Sequence, residues 1–525
     1  MSPRLMLVLH SHLPYVKRQG RWPFGEVWLF EAMAETYIPL LQTWQGLLDD
    51  GISAPLTLSL SPTLMEQLQS EYLRDGFIEY LKSCEGQASA DERSFMARGQ
   101  KDLARVAADY RRFYQDIRRS FVAEFGGDLI EVIKGLSQRV PLDILATAGT
   151  HAYLPLIEDR TSLERQIAAG TECFVKHLGY EPQGFWLPEC GYSQGIEEVL
   201  EQHNIRYFFV DGHAIEGGRP AQTFSGYHLT PETDNSEYKK TGLSTYSPYR
   251  VKDRSMGVFG RNTMVSLQVW SKDYGYPGDA YYRDFHKQLP GSGLKYWRVT
   301  RRDVNPECKL VYDRHQAQET VKRHAAHFMD TIEGIAREAD RLGYSEPLIV
   351  ACYDTELFGH WWWEGVDWLE ELVRLISGRD HWRMVLPGTV LQEMDSIPEA
   401  QVLESSWGTG GKHFGWSNPE TAWMWETISK ARRELESIAG ISGGDLITRA
   451  RNQAVKELML MESSDWFFMV TNNHTRDYAV RRFLEHFGKL VRLTEMVRIN
   501  QFIPETIEWM KRVEEEDDLF LTVAR

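Results

Sequence analysis

Short apolar runs, each closing on polar or ionisable residues and separated by long amphipathic stretches, set the pattern of this chain. Leu5-Met6-Leu7-Val8-Leu9 is the first run, and it ends in His10-Ser11-His12. A run this short, apolar at every position, reads as a strand buried on both faces. The same form recurs over residues 54–60, 141–148, 183–187, 206–210 and 347–352. These runs lead into Ser61-Pro62, Gly149-Thr150-His151, Pro188-Glu189, Asp211-Gly212-His213 and Asp354 respectively. Residues 383–386 read as a last strand. Between runs the spacing turns helical: Phe113, Ile117, Phe121, Phe125, Ile130 and Ile133 recur at helix-like intervals, and 313–343 reads as one long amphipathic helix. Residues 217–253 show no period and are rich in Gly, Ser, Thr, Pro and Tyr, which marks a lid-like loop.

Strands that alternate with helices and end in chemically able residues are the mark of a parallel α/β barrel, whose chemistry sits at the C-terminal mouth. The count here is seven. Residues 1–400 then form the barrel, with a helical insertion at about 85–139 and the lid loop at about 217–253. Beyond about 400 the strands give out. Helices are predicted over 418–437, 442–461 and 475–495, so 401–525 is expected to be an all-helical C-terminal domain. No internal repeat or low-complexity tract interrupts this order.

Composition narrows the class. The chain has 525 residues, 42% hydrophobic and 26% charged, within the range of globular proteins. Its formal net charge of −16 argues against nucleic acid and against anionic substrates, and suits a neutral polymer. The five cysteines show no paired spacing and are expected to be small buried residues in a reducing compartment. Met1-Ser2-Pro3-Arg4 runs straight into the first strand, without the apolar region of a leader. No apolar run approaches the ~20 residues of a membrane span. A cytoplasmic protein, without a membrane partner, is the expectation; the oligomeric state is not legible.

The richest stretch follows the strand at 347–352. It runs Tyr353-Asp354-Thr355-Glu356-Leu357-Phe358-Gly359-His360-Trp361-Trp362-Trp363-Glu364-Gly365. A strand-end carboxylate beside flat aromatic platforms suits carbohydrate, because sugar rings present flat C–H faces. A second strand-end carboxylate, Glu189, stands in Phe185-Trp186-Leu187-Pro188-Glu189. Two such groups are what glycoside chemistry needs: with retention of configuration one attacks and the other protonates the departing oxygen, roughly 5–5.5 Å away. Either alone would as readily cap a helix or sit in an ion pair. His10 and His12 share one face of an extended segment. They suit hydrogen bonds to sugar hydroxyls, and less well half of a metal site completed by Asp354 or Asp211. Trp22, Trp28, Trp270, Trp407 and Trp416 lie in loop-like contexts and fit a sugar groove as a set, whereas Trp423, Trp425, Trp466 and Trp509 read as core.

With these residues laid out, the chain resembles glycoside hydrolase family 57 and, within it, the branching group. His10-Ser11-His12-Leu13-Pro14-Tyr15, Gly149-Thr150-His151, Phe185–Glu189, Tyr353–Gly365 and Glu404-Ser405-Ser406-Trp407-Gly408 look like five family motifs in order. Phe259-Gly260-Arg261-Asn262, Gln268-Val269-Trp270-Ser271 and Gly275-Tyr276-Pro277-Gly278 look like the branching group. The resemblance implies a (β/α)7 barrel and a retaining mechanism with no metal or other cofactor. It implies Glu189 as nucleophile and Asp354 as acid/base. It places His10, His12, His151, Arg261, Trp270, His360, Trp361, Trp407, Trp416 and Asp465 around an α-glucan. It also implies a lid with a tip tyrosine, for which Tyr246 is preferred and Tyr238 is the second candidate. The activity implied is 1,4-α-glucan branching. Hydrolysis or 4-α-glucan transfer on the same carboxylates, a zinc-dependent deacetylase and a non-catalytic glucan binder are the alternatives.

Overall fold

The computed structural model describes residues 2–220, 239–271, 274–301, 303–394 and 396–520. Ten strands form one curled sheet: β1 Arg4–Ser11, β2 Leu56–Leu60, β3 Leu142–Thr147, β4 Gly184–Trp186, β5 Tyr207–Val210, β6 Tyr249–Val251, β7 Gly257–Gly260, β8 Leu348–Asp354, β9 Arg383–Met384 and β10 Glu399–Ala400. Their order is β10-β6-β7-β5-β4-β3-β2-β1-β8, with β9 set against β1. Seven of them, β7-β5-β4-β3-β2-β1-β8, run parallel and make a (β/α)7 barrel. Between its first and last staves one backbone bond, from Asn262 N–H to the Val350 carbonyl at 2.8 Å, spans the gap.

The seventh stave is not the predicted one. Residues 383–386 yield only a two-residue strand that pairs with Arg4 and Leu5, at the end of β1 away from His10. Gly257–Gly260 takes the place instead. Its flanking glycines hid a four-residue strand from a hydrophobicity reading, yet they suit the crowded seam: a Cβ on Gly260 would stand 2.9 Å from both Ile215 and Thr245.

Side-chain alternation decides what enters the barrel. Met6 and Val8 of β1, Leu145 of β3, Trp186 of β4 and Val350 and Cys352 of β8 share one inner core. Leu5, Leu7 and Leu9 face outward into the larger core beneath the helices. Continuing each phase by two residues turns His10 and Asp354 inward at the mouth, and the register sets them side by side. Helix Arg160–Leu178 packs so closely on β3 that a Cβ at Gly170 would stand 1.8 Å from the Thr147 carbonyl oxygen.

The insertion is a hairpin of Glu71–Ala97 and Lys101–Arg119, so it begins earlier than the predicted 85. The predicted lid region also shortens, because Tyr249–Val251 pairs antiparallel with β7. After residue 420 the chain is helical: Ala422–Glu436, Asp445–Met461, Ser464–Thr471, Arg476–Arg498 and Pro504–Glu516. These helices enclose a core of their own around Met424, Leu458, Phe467 and Phe483. Among the described residues, no helix is long and apolar enough to cross a membrane.

Candidate active site

Glu189 follows β4 in a left-handed backbone conformation, φ 62°, and Cys190 after it has φ 51°. Such angles cost a side-chain-bearing residue of order 1 kcal/mol or more and cluster where a side chain must be aimed. The carboxylate is held at both oxygens. Trp407 Nε1–H donates to Oε2 at 2.7 Å, and Ser464 Oγ–H donates to Oε1 at 3.0 Å. Burial pushes its pKa up, while the Trp407 and Ser464 hydrogen bonds favour the ionised form.

Ser464 is also 2.8 Å from His151 Nδ1, His151 Nε2 is 2.8 Å from His10 Nε2, and His10 Nδ1 is 3.0 Å from Ser59 Oγ. Burial, then the neighbouring imidazoles, keep His10 well below its usual pKa, and burial does the same to His151. Both rings are therefore neutral at neutral pH. With Glu189 ionised, one proton assignment satisfies every contact. Ser59 donates to His10, His10 to His151, His151 to Ser464 and Ser464 to Glu189. Four neutral groups are thus polarised toward one carboxylate. The register explains the first link, because His10 and Ser59 are partners across β1 and β2.

His12 lies flat on His151, centroids 3.7 Å apart, and bonds Ser61 at 2.9 Å and Asp465 at 3.0 Å. Burial works against the Asp465 charge, but His12 overcomes it and holds the carboxyl below its usual pKa. His10 and His12 are thus committed to serines, His151 and Asp465. Asp211, a candidate ligand in the metal reading, is engaged by Arg261 and His213.

Asp354 closes β8. Burial raises its pKa well above the ordinary value, Glu356 and Glu189 push it further, and Arg261 only partly opposes them. Its carboxyl therefore holds its proton to higher pH than an ordinary aspartate does. Glu356 accepts from the Tyr37 hydroxyl and, at 3.2 Å, from the His12 N–H. Burial lifts its pKa to about 7 against those bonds. Arg261, buried, pairs with Asp211 and sits 5.3 Å over the Trp407 ring.

Of the predicted residues, the structure joins Glu189, Asp354, His10, His12, His151, Arg261, Trp407 and Asp465 in this one cluster. It places others elsewhere. Trp416 is 0% exposed and stacks on Tyr153 at 4.1 Å, so it is core of the helical unit and not groove wall. Its Gly and Ser neighbours suggested a loop surface, but a Cβ on Gly408 would stand 2.7 Å from that ring, so the glycine is there to admit it. Tyr246 is not a lid tip. It packs on Tyr344, and its carbonyl accepts from Leu348 N–H at the opposite end of β8 from Asp354. Tyr238 lies outside the described residues. His360 is buried against Glu35 at 3.4 Å. Trp28 wedges between the two cores, its ring edge-on to Tyr478. Trp22, Trp270 and Trp361 keep 82%, 39% and 53% of their surface free.

Ser464, Glu356 and Tyr37 were missed. Glu356 stands inside the quoted stretch Tyr353–Gly365, and Ser464 directly precedes Asp465, which was chosen. Tyr37 gave no local signal, because its partner lies 319 positions away.

The family model described as glycosyl hydrolase family 57 matches residues 6–403, and that of the 1,4-alpha-glucan branching enzyme C-terminal domain matches 427–524. A 1,4-alpha-glucan branching enzyme of Thermococcus kodakarensis is 36% identical, over 100% of this chain and 78% of that protein. The crystal structure of a family 57 branching enzyme from that organism, in complex with glucose, superposes with a TM-score of 0.90, covering 100% of this chain and 96% of that one. The alpha-amylase AmyC of Thermotoga maritima, 29% identical, superposes with a TM-score of 0.83 over 99% and 98% of the two chains. The chain belongs to glycosyl hydrolase family 57.

Proposed function

We propose that the protein is a 1,4-α-glucan branching enzyme that works through Glu189 and Asp354. The observation that carries the chemistry is their unequal treatment. Burial raises the pKa of both, but Glu189 receives two hydrogen bonds that favour its anion, while at Asp354 two neighbouring carboxylates push further toward the protonated form. Environments that split two carboxylates in this way assign one as nucleophile and the other as acid. Full-length kinship with branching enzymes supports the choice of reaction.

Glu189 attacks the anomeric carbon of an internal α-1,4 bond, and the Asp354 proton passes to the departing 4-oxygen. A glucosyl ester to Glu189 forms and a chain with a new non-reducing end leaves. Asp354, now ionised, takes the proton from a 6-hydroxyl of an acceptor chain. That oxygen displaces Glu189 and an α-1,6 bond forms with net retention. The polarised series Ser59, His10, His151 and Ser464 stabilises the Glu189 anion before attack and as it departs. The barrel over 1–400 supplies the reacting pair, and the helical unit over 401–525 supplies Ser464 and Asp465. Trp407 braces the nucleophile, while Trp22, Trp270 and Trp361 offer free ring surface to the glucan.

The likeness to an alpha-amylase over nearly the whole chain favours hydrolysis as the second reading. Amylose incubated with the protein separates the two. New α-1,6 anomeric signal in the proton NMR spectrum with few new reducing ends is the expected result. Reducing ends without that signal would make the protein a hydrolase.

A further inference from the structure

A cleft with a cavity volume of about 340 Å³ opens between helices Ile38–Asp49, Lys101–Arg119 and Gly365–Ser377. Its volume is within the ~300–1,000 Å³ of small-molecule sites. Gln42, Thr43, Tyr110, Phe113, Trp363 and Asp367 line it, and none of them belongs to the Glu189–Asp354 cluster. Trp363 is half-buried and fixed in place: the Arg283 guanidinium lies 3.9 Å from its centroid, and Phe113 meets it edge-on at 4.7 Å.

The charges at the wall decide what fits. Each lining carboxylate already has a partner. Glu35 is paired with Arg283, Asp109 with Arg112 and Glu370 with Arg374, while Asp367 accepts from Gln318 and feels Arg314. The paired acids leave no unmet negative charge for a metal ion, and the Arg314 guanidinium, which also lines the cleft, acts on the Asp367 charge. What remains is a rigid aromatic rim beside fixed acceptor oxygens. That combination suits a neutral ligand with apolar C–H faces and many hydroxyl donors.

We propose that this cleft is a second binding site for an α-glucan segment, separate from the reacting centre. The choice of glucan rests on the function proposed above. The two sites stand back to back across one π-helical turn, Met33–Tyr37. Glu35 of that turn lines the cleft, and Tyr37 donates to Glu356 at the barrel mouth. A polymer engaged at the cleft keeps its remaining chain at high local concentration around the molecule.

Gly46 gives a direct test. It lines the cleft, and a Cβ there meets nothing within 4 Å, so Gly46→Phe projects a ring into the opening without a clash at its base. Titration of maltohexaose into the full-length protein by calorimetry is expected to give two sites, falling to one in Gly46→Phe. Hydrogen exchange on the unaltered protein is expected to slow in peptides over 39–46 and 363–370 when maltohexaose is added. A single site in both proteins, or no slowing in those peptides, would overturn the proposal whether or not Gly46→Phe folds. Absence of binding at either site would overturn the functional reading as well, a result distinct from loss of the cleft alone.

Discussion

Asp211 and Asp354 make an instructive pair. Both sit at the C-terminal ends of parallel strands, β5 and β8, and both feel the buried Arg261. Asp211 is in direct contact with the guanidinium and with His213, and despite burial these hold its pKa far below the usual carboxylate range. Asp354 has no such contact among its described partners, and the charges that act on it most are two further carboxylates. One aspartate is a permanent anion that anchors a cation. The other keeps a proton that it can give away. Residue type and place in the fold are the same, so counting strand-end acids does not locate catalysis; the local charge balance does.

The largest test of this contrast is Asp354→Asn. Turnover on amylose is expected to fall by about 10²–10⁴-fold, the usual worth of a positioned acid/base. An α-glucosyl fluoride donor, whose leaving group needs no proton, is expected to retain much more of the glucosylation step. Equal losses on both donors would remove Asp354 from the acid role. Next comes Arg261→Met. It leaves Asp211 buried without its guanidinium, and a loss of about 3–5 kcal/mol in denaturant unfolding is expected. Residual activity in that variant is expected to extend to higher pH, because the cation that lowers the Asp354 pKa has gone.

Glu356→Gln probes the other side. Deleting that charge lowers the Asp354 pKa, so the alkaline limb of the pH–rate profile is expected to move to lower pH. An unmoved limb would separate Glu356 from the acid. The same variant has a stability signature. Glu356 titrates at about 7 folded against 4.5 for the free group. The unfolded chain therefore releases that proton first, and the group costs stability as pH rises from about 4.5 to 7. Melting temperatures are expected to favour Glu356→Gln at pH 8, and the difference is expected to vanish near pH 4. The smallest effect concerns Glu35, held at about 2 by Arg283, Lys295 and His360 against the upward push of burial. Its sign is opposite: its stabilisation is full above pH 4.5 and is lost as pH falls toward 2. Acid titration of Glu35→Gln is expected to show a flatter decline over that window.

The sequence disclosed those features that depend on neighbours along one strand. Period-two alternation in β1 and β8 turns His10 and Asp354 inward, so the barrel and its reacting groups were legible. Features that depend on distant partners were not. Trp407 was chosen as a sugar platform, yet its N–H is spent on Glu189, 218 positions away. Trp416 and Tyr246 looked like surface because Gly, Ser and Thr surround them, and only the packing of Tyr153 and Tyr344 against them reveals otherwise. β7 escaped because two of its four residues are glycine.

The Ser464–Glu189 bond joins positions 275 residues apart. On a ribosome adding about 5–20 residues per second, Glu189 waits roughly 14–55 s for the serine that braces it. The growing chain thus carries Glu189 long before it is braced, and the nucleophile stays untuned until the helical unit has docked.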